Sequence, residues 1–210
     1  MNLVVVAKAP VPGQVKTRLC PPCTPIQAAA LAAAALADTL AAVDATPATA
    51  RTLLLSGSYP VPPGWRSVAQ RGTGLAERLA NGFADTALPA TVSLLIGMDT
   101  PQVTPELLAT VATGLRTADA VLAPALDGGW WALALRDPYA GAALRHVPTS
   151  TAGTGAATAA ALRRRGLRVA LGPELSDVDT AADALAVAAA CAGGAFAGAV
   201  RGLLPAAVPA

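Results

Sequence analysis

The strongest constraint on how this chain can fold is an alternation: short apolar runs and longer stretches of helical periodicity follow one another almost from end to end. Leu3–Val6 is an aliphatic, β-branched run bounded by a loop, and it reads as a buried strand. Thr24-Pro25-Ile26-Gln27 supplies an N-cap, a proline at the first helical position and a capping-box glutamine. The Ala/Leu-rich helix it opens is expected to end at about Val43. Thr52–Leu55 is the second expected strand, followed by a proline-rich loop over Gly57–Gly64. Gly74–Ala87 carries Leu75, Leu79 and Phe83 at helical spacing. Val92–Ile96 reads as a strand that ends at Gly97-Met98-Asp99-Thr100-Pro101, and Thr104-Pro105 starts a helix expected to reach about Thr117. Ala120–Ala123 and Trp130–Leu135 are strands on either side of Asp127-Gly128-Gly129. A helix stops at Arg165 before Gly166, Leu167–Leu171 is the last strand, and Thr180-Ala181-Ala182-Asp183 is a second capping box that opens a C-terminal helix.

Strands alternating with helices imply the α/β class, with a mostly parallel sheet covered on both faces. In such sheets ligands sit beyond the carboxyl ends of the strands, so that edge is where chemistry is expected. No internal repeat or dividing linker is present, and a single domain over residues 1–210 is the expectation. A composition of 54% hydrophobic and 13% charged residues excludes a disordered chain. A net charge of +2 argues against a nucleic-acid partner, which calls for a basic face.

The apolar run Leu3–Ala7 is shorter than a signal-peptide core and leads straight into a Pro/Gly loop, so no targeting segment is expected there. Ala184–Val200 is uncharged and long enough to raise the membrane question, but Ala and Gly dominate it and drive insertion weakly. It is expected to be a buried C-terminal helix, offering a homodimer contact. The chain as a whole is expected to be soluble and cytoplasmic, with no membrane partner.

Charge placement narrows the chemistry. Of 15 basic residues only Lys8 and Lys16 are lysines, and both fall in one loop, Lys8-Ala9-Pro10-Val11-Pro12-Gly13-Gln14-Val15-Lys16-Thr17-Arg18, directly after the first strand. Lysine is a compact charge suited to phosphate and Arg18 adds a bidentate fork, so the loop is a candidate phosphate cradle. It is not a Walker A loop, because Val15 rather than glycine precedes the Lys-Thr pair. Of 13 acidic residues, Asp99, Asp127, Asp177 and Asp179 stand beside strand ends or tight turns. Asp99, at the expected carboxyl edge of its strand, combines with Asp177 or Asp179 into a candidate hard-metal site of the kind that holds magnesium beside substrate phosphates. Asp127-Gly128-Gly129 reads equally as a turn or as a close approach to a ligand.

Other features carry less. Cys20-Pro21-Pro22-Cys23 has CxxC spacing without a second pair or a histidine cluster, and three cysteines make no disulfide framework. His146 is the only histidine, and no G-x-S-x-G nucleophile elbow occurs. Arg163-Arg164-Arg165 suits a solvated helix end. Trp130 and Trp131 are expected to face opposite sides of one strand, one of them towards a cleft.

Ala7 to Leu19 resembles the opening signature of the bacterial DUF2064 proteins, glycosyltransferase-like transferases related to phospholactate guanylyltransferases. Gly74-Leu75-Ala76-Glu77-Arg78-Leu79, Ile96-Gly97-Met98-Asp99-Thr100-Pro101, Asp127-Gly128-Gly129-Trp130-Trp131 and Asp177-Val178-Asp179-Thr180 match later blocks in order. Ala76, in place of glycine, and Thr149, in place of tryptophan before Ser150-Thr151, depart from the pattern. The resemblance implies a nucleotide-diphospho-sugar transferase (GT-A type) fold, a single α/β/α sandwich.

The expected activity is a metal-dependent nucleotidyltransferase that moves a nucleoside monophosphate from a nucleoside triphosphate to a small phosphorylated or acidic acceptor. Lys8, Lys16 and Arg18 would hold the β and γ phosphates, with Ala7, Pro12 and Gly13 shaping the loop. Gln70 and Gly74 would contact base or ribose, and Asp127, Gly128, Gly129 and Trp130 the acceptor. Asp99 and Asp179 would hold Mg2+ or Mn2+. The alternative on the same fold is a glycosyltransferase using a nucleotide sugar, and the alternative of another class is a non-catalytic nucleotide-binding protein.

Overall fold

A computed structural model describes residues 1–204. The C-terminal end of the expected domain, 205–210, lies outside the described residues. Seven strands form one sheet: β1 (Asn2–Lys8), β2 (Ala50–Ser56), β3 (Arg66–Ala69), β4 (Ser93–Gly97), β5 (Ala120–Pro124), β6 (Trp130–Leu135) and β7 (Val169–Leu171). Their order is β3-β2-β1-β4-β6-β5-β7. All neighbours run parallel except β6, which is antiparallel to both β4 and β5. The expected α/β architecture with a mostly parallel sheet is what the chain forms.

Helices α1 (Pro25–Asp44), α2 (Leu75–Thr86), α3 (Pro105–Gly114), α4 (Thr154–Arg164), α5 (Ala181–Ala190) and α6 (Ala195–Leu203) complete the fold, with 3-10 segments at Thr17–Leu19 and Pro138–His146. Both capping boxes form: the Thr24 and Thr180 side chains accept from the backbone of Gln27 and Asp183, whose side chains reach back. Each box satisfies helix-end donors that would otherwise be orphaned.

The central strands are apolar on both faces because both faces are covered. Leu3, Val5, Leu53, Leu94 and Ile96 pack under α1 and α3. Val4, Leu54, Leu95, Leu133 and Leu135 pack under α2 and α4 with Phe83. A smaller apolar cluster, outside the sheet, joins Leu19, Leu31, Val178, Val187, Phe196 and Val200. It ties the loop after β1 and the segment before α5 to α1, so the two loops share one anchor.

The structure corrects several sequence-based boundaries. β3 is absent from the sequence reading because Arg66, Ser67 and Ala69 are exposed on an edge strand, and no apolar alternation marks it. The expected single C-terminal helix is two, α5 and α6, broken where Gly193 and Gly194 take positive φ of 155° and 102°. Asp38 on α1 replaces the missing continuity by accepting from Ala195 N and Phe196 N at 2.8 Å each.

The apolar faces of both helices are buried within the chain, through Ala184, Val187, Phe196 and Val200. Neither is long enough to span a bilayer. Among the described residues α1 is the one helix long and apolar enough to cross a membrane, and 56% of its most apolar stretch is buried inside the molecule.

Candidate active site

The parallel strands β1 and β4 start in register, Asn2 beside Ser93, and their carboxyl ends lie at the site. Val6 on β1 is paired with Gly97 on β4. Lys8 and Asp99, each two residues further on, therefore emerge level at the carboxyl edge, with Lys8 N donating to Met98 Sδ at 3.3 Å. Beyond that edge lies a cavity of about 690 Å³, lined among others by Lys8, Gln70, Arg78, Asp99, Trp130 and Asp177. A smaller one of about 270 Å³ adjoins it under the loop after β1, against Lys8, Gln14, Lys16, Thr17, Arg18 and Asp179.

That loop is held at both ends. Ala9 N donates to Ser56 O at 2.8 Å, and Leu19 is fully buried in the cluster beside α1. Between these points Gly13 and Lys16 adopt left-handed backbone, φ 77° and 48°. The turn at Lys16 sends its side chain inwards, where it is only 8% exposed. Its ammonium lies 2.9 Å from Asp99 Oδ1 and 3.5 Å from Asp179 Oδ1, and donates to the Val178 carbonyl. Arg18 Nη1 meets Asp179 Oδ2 at 2.7 Å, and Lys8 Nζ donates to Gln14 O at 2.8 Å.

The acidic side is built by a contact no local pattern announces. Beyond β5 and β7 the chain pairs again, Ala125 with Leu175, so that Leu126 N reaches Leu175 O at 3.0 Å. Val178 N donates to Asp99 O at 3.0 Å, and the Gln102 amide donates to Ser176 O. Asp183 accepts from Asp179 N and Thr180 N at 3.2 and 2.7 Å. So pinned, Asp127, Asp177 and Asp179 bring one carboxylate oxygen each to within 4.8 Å of one another.

Burial pushes Asp177 up to about 6, helped by the negative charges of Asp127 and Asp179 and only partly opposed by Lys16. Three convergent carboxylates form an all-oxygen donor set that suits a hard divalent cation such as Mg2+ or Mn2+. Of the expected metal pair, Asp179 is in this acidic group while Asp99 lies beside it, joined to Asp179 through the Lys16 ammonium; Asp127, expected on the acceptor side, completes the group. Asp127 also makes its turn, Oδ1 accepting from Gly129 N at 2.7 Å.

The remaining sequence-predicted residues divide. Ala7, Gln70, Gly129 and Trp130 line the larger cavity. Gln70 Nε2 donates to Ala7 O at 2.8 Å and Leu54 O at 3.0 Å, which uses both amide hydrogens and leaves its oxygen as the acceptor. Trp130 and Trp131 lie on opposite faces of β6 as expected: Trp130 packs on the α2 side and Trp131 on the α1 side. Pro12, Gly13, Gly74 and Gly128 line neither cavity. Pro12 and Gly13 are exposed at the outer turn, and Gly128 packs against Ala152 of the Thr149–Ala152 wall. His146 ends its 3-10 segment exposed and away from the site.

Arg78 was missed from sequence. Its Nε donates to Gly72 O at 3.1 Å, and its Nη atoms have no partner among the described residues although the side chain lines the cavity. The available signal was an arginine within the first five residues of α2, where the helix dipole disfavours a cation.

Comparisons with known proteins bear on the fold and the family. No curated protein matches the sequence. Among solved structures, a candidate nucleotide-diphospho-sugar transferase from Desulfovibrio desulfuricans G20 is 27% identical, with a TM-score of 0.76 over 87% of this chain and 83% of that one. Rv0371c from Mycobacterium tuberculosis H37Rv, solved in complex with manganese, is 21% identical with a TM-score of 0.56 over 89% and 96%. A CMP:2-keto-3-deoxy-manno-octonic acid synthetase in complex with CTP is 11% identical with a TM-score of 0.56 over 88% and 95%. The fold is that of the nucleotide-diphospho-sugar transferases, and its structural neighbours include proteins named as nucleotidyl and sugar transferases. The family model described as "Uncharacterized protein conserved in bacteria (DUF2064)" matches residues 27–151, more than half of the sequence, and the chain belongs to that family.

Proposed function

We propose that the protein is a divalent-metal-dependent nucleotidyltransferase. The observation that carries the reading is the meeting, at one sheet edge, of the Lys8–Lys16–Arg18 loop with the Asp127–Asp177–Asp179 group beside a cavity of about 690 Å³. Clustered cations answer the charge of a triphosphate, and the acidic group beside them answers a metal. CTP in one structural neighbour and manganese in another support both halves.

In this reading Lys8 and Arg18 hold the β and γ phosphates and offset charge on the leaving group. Asp127, Asp177 and Asp179 would hold the metal, which when bound supplies charge neutralisation at the phosphate oxygens. Asp99 fixes Lys16 beside them. The Gln70 oxygen accepts a hydrogen bond from base or ribose, and Trp130 with Thr149–Ala152 walls the acceptor side. An oxyanion of the acceptor, a phosphate or a carboxylate, forms a bond to the α-phosphorus. The bond from that phosphorus to its bridging oxygen breaks, and pyrophosphate leaves with the electron pair. Arg78, with its fork free, gives the acceptor or the nucleotide a further anion contact.

The D. desulfuricans relative favours a second reading, a glycosyltransferase using a nucleotide sugar in the same cavity. Product analysis separates the two: pyrophosphate release identifies nucleotidyl transfer, and nucleoside diphosphate release identifies glycosyl transfer.

A further inference from the structure

Lys16 is the cation that its surroundings leave least free. An ammonium has three N–H donors, and Lys16 faces three acceptors: Asp99 Oδ1, Asp179 Oδ1 and the Val178 carbonyl. Its side chain is enclosed, so these contacts are not traded for water. Asp179 is claimed from every side. Arg18 takes its Oδ2, Lys16 faces its Oδ1, and its carboxylate is one of the three that converge on a common point. On the wall of the same cavity the Thr100 hydroxyl, 1% exposed, has no hydrogen-bond partner. A buried hydroxyl left without a protein partner is one that water or a ligand satisfies.

We propose that Lys16 is a resident competitor of the divalent cation: its ammonium and the metal share Asp179, so each is held at the other's expense. The proposal rests on reading Asp127, Asp177 and Asp179 as the metal site. The contacts are unequal, 2.9 Å to Asp99 and 3.5 Å to Asp179, so the Asp179 contact is the one to yield. Asp99 then tethers an ammonium that has gained a free donor facing the phosphate side. Without metal, Lys16 keeps the acidic group from standing uncompensated, which closely spaced carboxylates otherwise resist.

The test is direct titration of Mn2+ into the intact protein, reading unbound Mn2+ by electron paramagnetic resonance, with no nucleotide present. Lys16→Gln keeps a donor for the Val178 carbonyl and removes the charge, and it should bind Mn2+ about tenfold more tightly than the parent. Lys8→Gln removes a neighbouring charge that touches no carboxylate, and should change the affinity by less than about twofold. Lys16→Met serves as the second variant, with circular dichroism and a thermal melt reporting that each variant is folded. Unchanged or weaker binding in folded Lys16→Gln, or an equal gain in Lys8→Gln, overturns the competition. Absence of Mn2+ binding in all of these proteins overturns it together with the metal site. Normal Mn2+ competition without turnover of any nucleotide leaves it standing and removes the transferase reading instead.

Discussion

Replacing Asp177 by asparagine should stabilise the metal-free protein at alkaline pH. The carboxyl is pushed from its ordinary 3.8 up to about 6, first by burial and then by Asp127 and Asp179. The folded chain therefore holds this proton more tightly than the unfolded chain does. That contribution is fully present below pH 3.8 and is lost as pH rises through about 6. At about 1.4 kcal/mol per pH unit the full difference is about 3 kcal/mol. The group is only half-buried, and solvent screening roughly halves the figure, to about 1.5 kcal/mol.

For a chain of this length that corresponds to a rise of about 3–6 °C in melting temperature. Thermal melts of Asp177→Asn and the parent, both in EDTA, should show the gap at pH 8, its reduction to about a third at pH 4.5 and its closure below pH 3.8. Added Mn2+ at pH 8 should then stabilise the parent and leave the variant unmoved, since the variant has lost a ligand. A variant melting at or below the parent at pH 8 in EDTA would refute the argument that this carboxylate is held at a cost for the sake of a cation.

The opposite sign is expected at Asp119, which Arg168 hydrogen bonds hold down to about 2. Its stabilisation is present above pH 3.8 and fades as pH falls towards 2, so Asp119→Asn should melt below the parent at pH 7 and approach it in acid. Arg78→Gln should weaken nucleoside triphosphate or acceptor binding about tenfold or more by calorimetry, with an unchanged melt. Equal affinity for both ligand classes would show that its free guanidinium serves neither. Gly128→Ala meets both a positive φ of 87° and the Ala152 carbonyl oxygen. It should cost about 2–3 kcal/mol in denaturant unfolding, and a neutral result would mean the turn can shift.

Much of this fold could be read locally. The apolar runs at β1, β4 and β6 announce buried strands, and Thr24 and Thr180 announce helix starts, because those signals depend on residues within one turn or one strand. β3 could not be read, since an exposed edge strand lacks the apolar alternation. At the site, the sequence shows the basic loop directly after β1 and four aspartates beside strand ends or tight turns. It could not show that Ala125 pairs with Leu175, fifty residues apart, and it is this pairing that draws Asp127 to Asp177 and Asp179. Nor could it show that a left-handed turn at Lys16 buries the ammonium among those carboxylates. Charge type was legible, whereas charge pairing depended on tertiary contacts.

The most direct test of the metal–nucleotide reading is a thermal-shift panel of nucleoside triphosphates and nucleotide sugars, each with and without Mn2+. A ligand at 100 times its dissociation constant adds about 2.7 kcal/mol of stability, enough to read clearly. The account predicts that at least one triphosphate stabilises the protein only when Mn2+ is present, and that Asp179→Asn abolishes the effect. Stabilisation that ignores the metal, or silence across the whole panel, would contradict it.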